Sequence, residues 1–275
     1  MKKNILFCLL MFISVLLVSC GYSTKKEYKT YEYKIEEEFD FIDIDLINSS
    51  LSFENSEENK IVITSIEEIP YTVSNDKLTI LDTEKKDYVS IKLYYDFEKE
   101  VSIKYYGFYN TLVINKMHVL NLMYNSSYGT LNLSSSTVLF SDVNIRHSTG
   151  NKVTGNEMAE FSYKGDYTKY FNFLKNHTDK ISIDVYKGAF KLDDTYFKVL
   201  NCFYSLGNLW IRLDGREGYT FNLEIPTQNR YFEYGPYVTR NEEGLLVYGD
   251  GRNQVHIKNI YNTNGIYKYF DLDRA

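Results

Sequence analysis

Apolar and polar residues alternate along most of the chain after residue 38. The alternation is clear in Phe39–Leu46, Lys60–Thr64 and Val89–Leu93, and clusters of Asn, Ser and Asp separate such segments. A period of two places successive side chains on opposite faces of a strand, and the polar clusters are typical of turns. The nearest candidate for a helix, 156–174, contains Gly165-Asp166 and many aromatic residues, which argue against helix. The pattern therefore predicts an all-β protein.

A weak repeat begins near residue 111. Each copy has an alternating apolar run, a short polar turn that often carries glycine, and a second apolar run. The glycines of these units are Gly129, Gly150, Gly165, Gly188 and Gly207, and the steps between them are unequal. We expect glycine to serve the turns by adopting a positive φ. Units of about 20 residues cannot bury a face alone, so they predict a β-solenoid, a right-handed β-helix-like stack of short strands. A twisted β-sandwich is the alternative.

The N-terminal segment has the form of a secretory signal. Lys2 and Lys3 precede an apolar run from Ile5 to Val18, which is shorter than the roughly 20 residues of a transmembrane helix. The segment Leu17-Val18-Ser19-Cys20 resembles the bacterial lipoprotein box, in which the cysteine thiol takes a diacylglycerol. The alternatives are a cleaved signal with an incidental Cys20 and an uncleaved anchor. We expect lipidation of Cys20 and attachment to a membrane through that lipid.

This interpretation divides the chain into three parts. Residues 1–19 are the signal peptide, residues 20–38 are the lipidated cysteine and a polar tether, and residues 39–275 are a single β domain. The later half of the tether, Tyr31 to Ile35, has the composition of a strand. Gly21 is not the Asp that retains lipoproteins at the inner membrane of some bacteria, so the expected location is the cell envelope, outside the cytoplasm, with the outer membrane favoured.

Charge and cysteine content narrow the function classes. The chain carries 31 Lys and Arg against 37 Asp and Glu, a formal net charge of −6. An acidic chain without a long basic run is a poor nucleic-acid binder. Processing removes Cys8 and lipid consumes Cys20, so Cys202 has no partner for an intramolecular disulfide. Cys202 lies in an apolar run and is interpreted as a small buried residue rather than a reactive thiol.

Candidate catalytic and metal-binding groups are sparse. The histidines are His118, His147, His177 and His256. None has a second ligand at the spacing of a zinc site, and we expect stacking to leave His118 and His147 apart. Paired acids occur at Asp43/Asp45 and Asp193/Asp194, but Asp43 and Asp45 alternate with isoleucine and are expected on a solvated strand face. We therefore expect no catalysis, no metal and no cofactor.

Tyrosines are the residues most suggestive of binding, since the chain has 27 of them. One group lies close in sequence and comprises Tyr94, Tyr95, Tyr105, Tyr106, Tyr109, Tyr124 and Tyr128. A second group, Tyr231, Tyr234 and Tyr237, crowds the long loop 227–244 and is the candidate binding surface. Tyrosine suits sugar rings and protein partners alike. The alternative is that half of each adjacent pair lines the core.

The repeated units around Gly129, Gly150 and Gly207 resemble the adhesin-like proteins of unknown function, whose head-domain-like repeats form a β-helix or β-solenoid. The C-terminal runs Tyr248–Ile257 and Asn262–Tyr267 add to the resemblance, which covers roughly residues 39–270. Several expected glycines are replaced, and residues 156–180 are unusually aromatic. The resemblance implies a structural or adhesive role and transfers no catalytic residues.

The sequence thus favours a membrane-anchored lipoprotein with a structural or adhesive role and a glycan or protein ligand. A periplasmic module that binds polysaccharide or assists envelope assembly is the alternative. A carbohydrate-active β-helix enzyme is a third interpretation.

Overall fold

A computed structural model describes residues 26–82, 84, 86–213, 218–224, 238–242, 245–248 and 250–259 of the chain. These residues form strands and connecting turns without a helix, which confirms the all-β prediction. No helix that could cross a membrane is found in this part of the chain. The strands are β1 (Lys29–Lys34), β2 (Phe41–Leu46), β3 (Asn48–Asn55), β4 (Lys60–Ser65), β5 (Thr72–Ser74), β6 (Lys77–Asp82), β7 (Val89–Tyr95), β8 (Glu100–Asn115), β9 (His118–Ser134), β10 (Thr137–Ser148), β11 (Asn151–Thr154), β12 (Glu157–Leu174), β13 (His177–Leu213), β14 (Tyr219–Glu224), β15 (Val238–Arg240), β16 (Leu246–Tyr248) and β17 (Asn253–Asn259).

Parallel pairing in a constant register organises the centre of the molecule. Strands β8, β9, β10 with β11, β12 and β13 each pair in parallel with the next. Thr137 faces His118 on one side and Glu157 on the other, so paired positions recur about every 20 residues, and we call each such repeat of the chain a turn. At the N-terminal end, β2 and β3 pair in parallel with the two halves of β8.

Antiparallel strands finish both ends of this parallel stack. At the N-terminal end, β4 pairs antiparallel with β7 and with β1, and β5 forms a hairpin with β6. At the other end, β13 pairs with β17 and β17 with β14, both in parallel, before β16 and β15 add antiparallel strands. Strand β1 lies within the segment that the sequence analysis assigned to the tether, and Ile35 after it is buried.

The core consists of inward side chains that stack in register from turn to turn. One column contains Tyr105, Tyr124, Val143, Tyr163 and Ile183, all of them buried. Tyr105 and Tyr124 stack with 5.5 Å between ring centroids. Full burial of each such apolar side chain contributes about 1.5–3 kcal/mol. Cys202 faces Ile257 and is buried, and its burial raises the thiol pKa to about 12, so it packs as a small apolar residue.

Buried polar side chains just after the loops between strands fix the register between neighbouring repeats of the chain. They belong to Ser136, Asn156, Asn176 and Thr195, which we name the turn ladder. The Asn156 side-chain oxygen accepts the backbone N–H of Ser136 at 2.9 Å, and Asn176 accepts that of Asn156 at 3.0 Å. The Asn156 amide donates to Leu133 O, and that of Asn176 to Val153 O. Each of these asparagines therefore satisfies backbone groups of its neighbouring turns, which are buried away from water.

The residue before each ladder position has a positive φ. These residues are Ser135, Gly155, Lys175 and Asp194, and Lys116 holds the same place one turn earlier, all with φ between 49° and 65°. Only one of them is glycine, although this conformation costs an L-residue about 1–2 kcal/mol. Backbone bonds to the adjacent turn hold the conformation: Ser135 N donates to Thr154 O at 3.0 Å, and Lys175 N to Asp193 O at 2.9 Å.

The expected role of the repeat glycines is wrong. Gly129, Gly150, Gly165 and Gly188 have ordinary φ values and are needed for close approach instead. A Cβ on Gly188 would lie 2.3 Å from Thr168 O of the preceding turn. A Cβ on Gly150 would lie 2.3 Å from the ring of Tyr170. These glycines therefore lie where neighbouring turns are in close contact. The unequal spacing between them does not give the length of the structural repeat.

The strands are also longer than the sequence analysis expected. Strand β9 has 17 residues, β12 has 18 and β13 has 37. In β9 and β12 the alternation of buried and exposed residues is interrupted, at Ser127-Tyr128 and at Asp166-Tyr167, and we call such an interruption a bend. The neighbouring strands stay in register through it. The backbone hydrogen bonds therefore continue through the bend, and short polar segments that look like turns in the sequence stay inside a strand.

We predict that Asn156→Ala destabilises the protein by about 2–4 kcal/mol, because it leaves the Ser136 N–H and the Leu133 carbonyl buried without partners. Urea unfolding followed by circular dichroism measures the change. The matched control is Asn144→Ala on an exposed strand position, which should change stability by less than about 0.5 kcal/mol. Equal effects of the two substitutions would show that the turn ladder does not hold the register.

Candidate ligand-binding groove

A row of aromatic side chains, three exposed tyrosines and one half-buried histidine, crosses the stack at a bend in the strands. The register places Tyr109, Tyr128, His147 and Tyr167 opposite one another on β8, β9, β10 and β12, and we name these four residues the aromatic row. Asn48 precedes the row in register and Lys187 follows it. Because each member comes from a different turn, the row runs perpendicular to the strands.

Three of the four rings of the row stack on one another at the spacing of neighbouring strands. Tyr109 and Tyr128 lie 5.0 Å apart between ring centroids with an interplanar angle of 25°, and Tyr128 and His147 lie 4.9 Å apart with an angle of 20°. Phe108 packs on the edge of Tyr109 and against Tyr128. The tyrosines nevertheless remain 41–51% exposed. Stacked neighbours shield parts of the ring faces, while ring edges and hydroxyls face solvent.

The aromatic row lines an open groove with a volume of about 500 Å³. Thr111, Thr130 and Thr149 add hydroxyl and methyl groups to its wall, and Lys169 adds a cation. Tyr88 and Asn48 lie at the end nearer the N-terminal strands, where the Tyr88 hydroxyl donates to Ser50 Oγ at 2.7 Å. Among the described residues that line the groove there is no carboxylate.

A line of polar residues and glycines, most of them buried, supports the bend beneath the row. Its members are Ser49, Asn110, Gly129, Ser148, Thr168 and Gly188, which align in register after the row and its flanking residues. The Asn110 amide donates to Ser49 Oγ at 2.8 Å and to Leu46 O at 3.1 Å. The aromatic row therefore stands on a hydrogen-bonded support rather than on a free loop.

Core tyrosines complete this support from inside. The Tyr105 hydroxyl bonds Ser49 Oγ at 2.7 Å, Tyr124 donates to Asn110 O at 2.8 Å, and the Tyr163 hydroxyl bonds Thr168 Oγ1 at 2.7 Å. Burial raises the pKa of Tyr105 and of Tyr163 to about 12, and it raises the pKa of Tyr124 as well. These phenols are consequently neutral hydrogen-bonding groups of the core.

The tyrosines of the first sequence group divide as alternation requires. Tyr95, Tyr105 and Tyr124 are buried, whereas Tyr109 and Tyr128 are exposed and lie in the groove. The interpretation that part of the group lines the core therefore holds, while a binding role for the exposed tyrosines stays a prediction. The predicted sites at Cys20, Tyr231, Tyr234 and Tyr237 lie outside the described residues.

The expectation that Asp43 faces solvent is wrong. Asp43 is buried, and its carboxylate lies 2.6 Å from Lys77 Nζ and 3.6 Å from Lys104 Nζ. It alternates with core residues as predicted, but lysines from the two flanking strands cover it. Asp43 is thus a structural ion-pair partner.

The histidines lie at separate places on the described surface. His118 faces Glu100 and Thr137, His147 stacks on Tyr128, and His177 lies 4.3 Å from the ring of Tyr196. His118 and His147 are not brought together. The described part of the chain contains no cluster of three or more His, Cys, Asp or Glu that could hold a metal ion.

Sequence reasoning missed His147 and Tyr167 as partners of Tyr109 and Tyr128. The signal was present, because the four positions recur at a nearly constant spacing of about 20 residues. Aligning the repeats on their glycines hides this spacing. Gly129 pairs with Ser148, whereas an alignment on glycines places it opposite Gly150, two positions further on.

Comparisons with known proteins give weak likenesses. No protein-family model and no curated protein sequence matches the chain. A Parabacteroides distasonis structure provisionally named a lipid-binding protein is 12% identical, with a TM-score of 0.45, and the match covers 91% of this chain and 95% of the other. A Parabacteroides merdae structure provisionally named an adhesin is 13% identical, with a TM-score of 0.41 and coverage of 91% and 97%. A second provisional adhesin, from P. distasonis, is 9% identical, with a TM-score of 0.41 and coverage of 91% and 98%.

Proposed function

We propose that the chain is a non-catalytic lipoprotein of the bacterial cell envelope that binds an extended glycan along the aromatic row. Its fold is a β-solenoid in this proposal, supported by parallel pairing that repeats about every 20 residues from β8 to β13. The single observation that carries the function is the groove in which aromatic rings recur at every turn.

The repetition in the groove fits a polymer better than a compact molecule. Strands in a sheet lie about 4.8 Å apart, so the row offers one aromatic ring and, beside most of them, one threonine hydroxyl per step of that length. A chain of linked sugars presents apolar ring faces and hydroxyl groups in a similar repeating order. Tyrosine supplies an apolar surface and a polar tip to the same ligand.

The surroundings of the row favour sugars over an acyl chain. Pockets for apolar small molecules enclose most of the ligand surface, whereas this groove is partly open to solvent. Its walls carry threonine hydroxyls and tyrosine hydroxyls, which would lose hydrogen bonds to water beneath a hydrocarbon chain. A polyhydroxylated ligand replaces those hydrogen bonds.

A protein partner is the second candidate for the groove. Exposed tyrosines are enriched among residues that dominate protein interfaces, and Phe108 and Tyr109 together form an apolar end of the row. The glycan remains preferred because the polar and aromatic positions recur with the turns along the whole groove.

Lipid attachment would place the N-terminal end of the stack near the membrane. Cys20 lies nine positions before Lys29, the first residue of β1. A fully extended segment of that length spans roughly 30 Å. Since the row begins beside Asn48 near the N-terminal strands and continues to Tyr167, it would lead away from the membrane in this proposal.

We predict that Tyr128→Ala weakens glycan binding about tenfold or more, because Tyr128 contacts two rings of the row and forms its centre. Affinity electrophoresis of residues 20–275 with Cys20→Ser in gels that contain single polysaccharides measures the effect. Tyr28→Ala removes an equally exposed tyrosine outside the groove and should leave binding unchanged. Equal binding by both variants would contradict the assignment of the site, and binding to proteins alone would favour the second candidate.

We further predict that Cys20→Ser releases the protein from the membrane fraction, because two acyl chains on the cysteine provide the stable attachment. Detergent phase partition and incorporation of labelled palmitate measure lipidation. Cys202→Ala is the matched control and should keep both the label and the membrane attachment. A Cys20→Ser protein that still sediments with membranes would contradict lipid anchoring at this residue.

A further inference from the structure

The charge of the groove differs from that of the whole chain. Carboxylates outnumber cationic side chains by 37 to 31 in the sequence, but no carboxylate lines the groove in the part of the chain that the structure describes. Two lysines lie at the end of the aromatic row that is farther from β1. Lys169 lines the groove, and Lys187 follows Tyr167 in register with its Nζ 5.9 Å from the Tyr167 ring centroid.

These two lysines also differ from most lysines of the central strands. Lys104, Lys164, Lys180, Lys191 and Lys198 each form an ion pair with a carboxylate. Among the described residues, Lys169 and Lys187 form no ion pair, and neither does Lys152 beyond the bend. Both lysines are exposed: Lys169 lines the groove, and Lys187 lies beside it, next to the ring of Tyr167.

The carboxylate next to the row in sequence is already neutralised. Asp166 precedes Tyr167, and its Oδ2 lies 2.9 Å from Nε of Arg146. Asp184, on the following turn, pairs with Lys164 at 3.8 Å. The excess positive charge at this end of the groove is therefore not cancelled by these neighbours.

We propose that the glycan bound by the aromatic row is acidic, with carboxylate groups of uronic acid residues placed at Lys169 and Lys187. This inference rests on the proposed function and names the class of its ligand. Uncharged faces of the sugars lie on Tyr109 and Tyr128, and the anionic groups meet the cationic end. Lys187 lies in register with Tyr167, and Lys169 lies two residues beyond Tyr167 on the preceding turn, so two cationic groups stand side by side at this end of the row.

The acidic surface outside the groove makes this placement selective. An anionic polymer is repelled by exposed carboxylates and attracted by the two lysines, so the complementary field directs it into the groove. A neutral glycan gains nothing from the lysines. The charge on the ligand therefore separates this proposal from general sugar binding.

The test compares polymers with the same backbone and different charge. Residues 20–275 with Cys20→Ser are titrated with polygalacturonate and with its methyl-esterified form, and alginate, hyaluronate, dextran and galactan extend the series. We expect at least one polyuronate to bind about tenfold more tightly than the neutral polymers at low salt. Each of Lys169→Gln and Lys187→Gln should weaken that binding about two- to fivefold, the range for exposed ion pairs. Lys180→Gln, which removes a lysine paired with Glu160, is the matched control and should have no effect.

The outcomes separate this inference from the function on which it rests. Equal affinity for charged and neutral polymers, with binding still lost in Tyr128→Ala, would overturn the acidic ligand and keep the glycan site. Binding of neutral polymers alone would do the same. Binding of no polysaccharide would overturn both proposals. Loss of polyuronate binding in Lys180→Gln to the same degree would show that the attraction is not localised at Lys169 and Lys187.

Discussion

The register between successive turns is the constraint on which the rest of this structure depends. Side chains of the turn ladder accept backbone N–H groups of one neighbouring turn and donate to its carbonyls, as Asn156 does with Ser136 and Leu133. A slip of one residue would leave these buried groups unpaired and would also exchange the inward and outward faces of the strand. Hydrogen bonding at the turn and apolar packing in the columns therefore require the same alignment, and each supports the other.

The same alignment determines which side chains become neighbours on the surface. Once His147 is fixed opposite Tyr128 and Tyr167, four side chains that are far apart in the sequence become one row. Inside the same bend, Asn110 and the hydroxyl of Tyr124 hold the backbone beneath the row, so its rings are presented by rigid strands. In the proposed function, the row recognises a repeating ligand through one repeated contact. In the further proposal, the lysines at the far end of the row make an acidic ligand bind more tightly than a neutral one.

The sequence predicts the all-β fold class, because the alternation of apolar and polar residues in strands is directly visible in it. It also predicts that tyrosines divide between core and surface, as Tyr124 and Tyr128 do. It does not reveal the register, because one extra residue near Gly150 and one near Tyr170 change the offset between neighbouring strands. In the sequence, glycine suggests a tight loop. Gly188 is instead required because the backbone of the neighbouring repeat lies too close for a Cβ, and this contact cannot be read from the local sequence. The groove depends on the register and could not be assembled without it.

A cross-linking measurement tests the register most directly. In the mature chain with Cys20→Ser, the pair Asn125→Cys and Asn144→Cys occupies exposed positions that face each other on β9 and β10. A short fluorogenic cross-linker with two bromomethyl groups should alkylate both thiols of this pair rapidly, with loss of two bromide ions, while buried Cys202 stays unmodified. The pair Asn125→Cys and Arg146→Cys represents the alignment that would stack Gly129 on Gly150, and it should react much more slowly. Preferential cross-linking of the second pair would contradict the register, and with it the aromatic row.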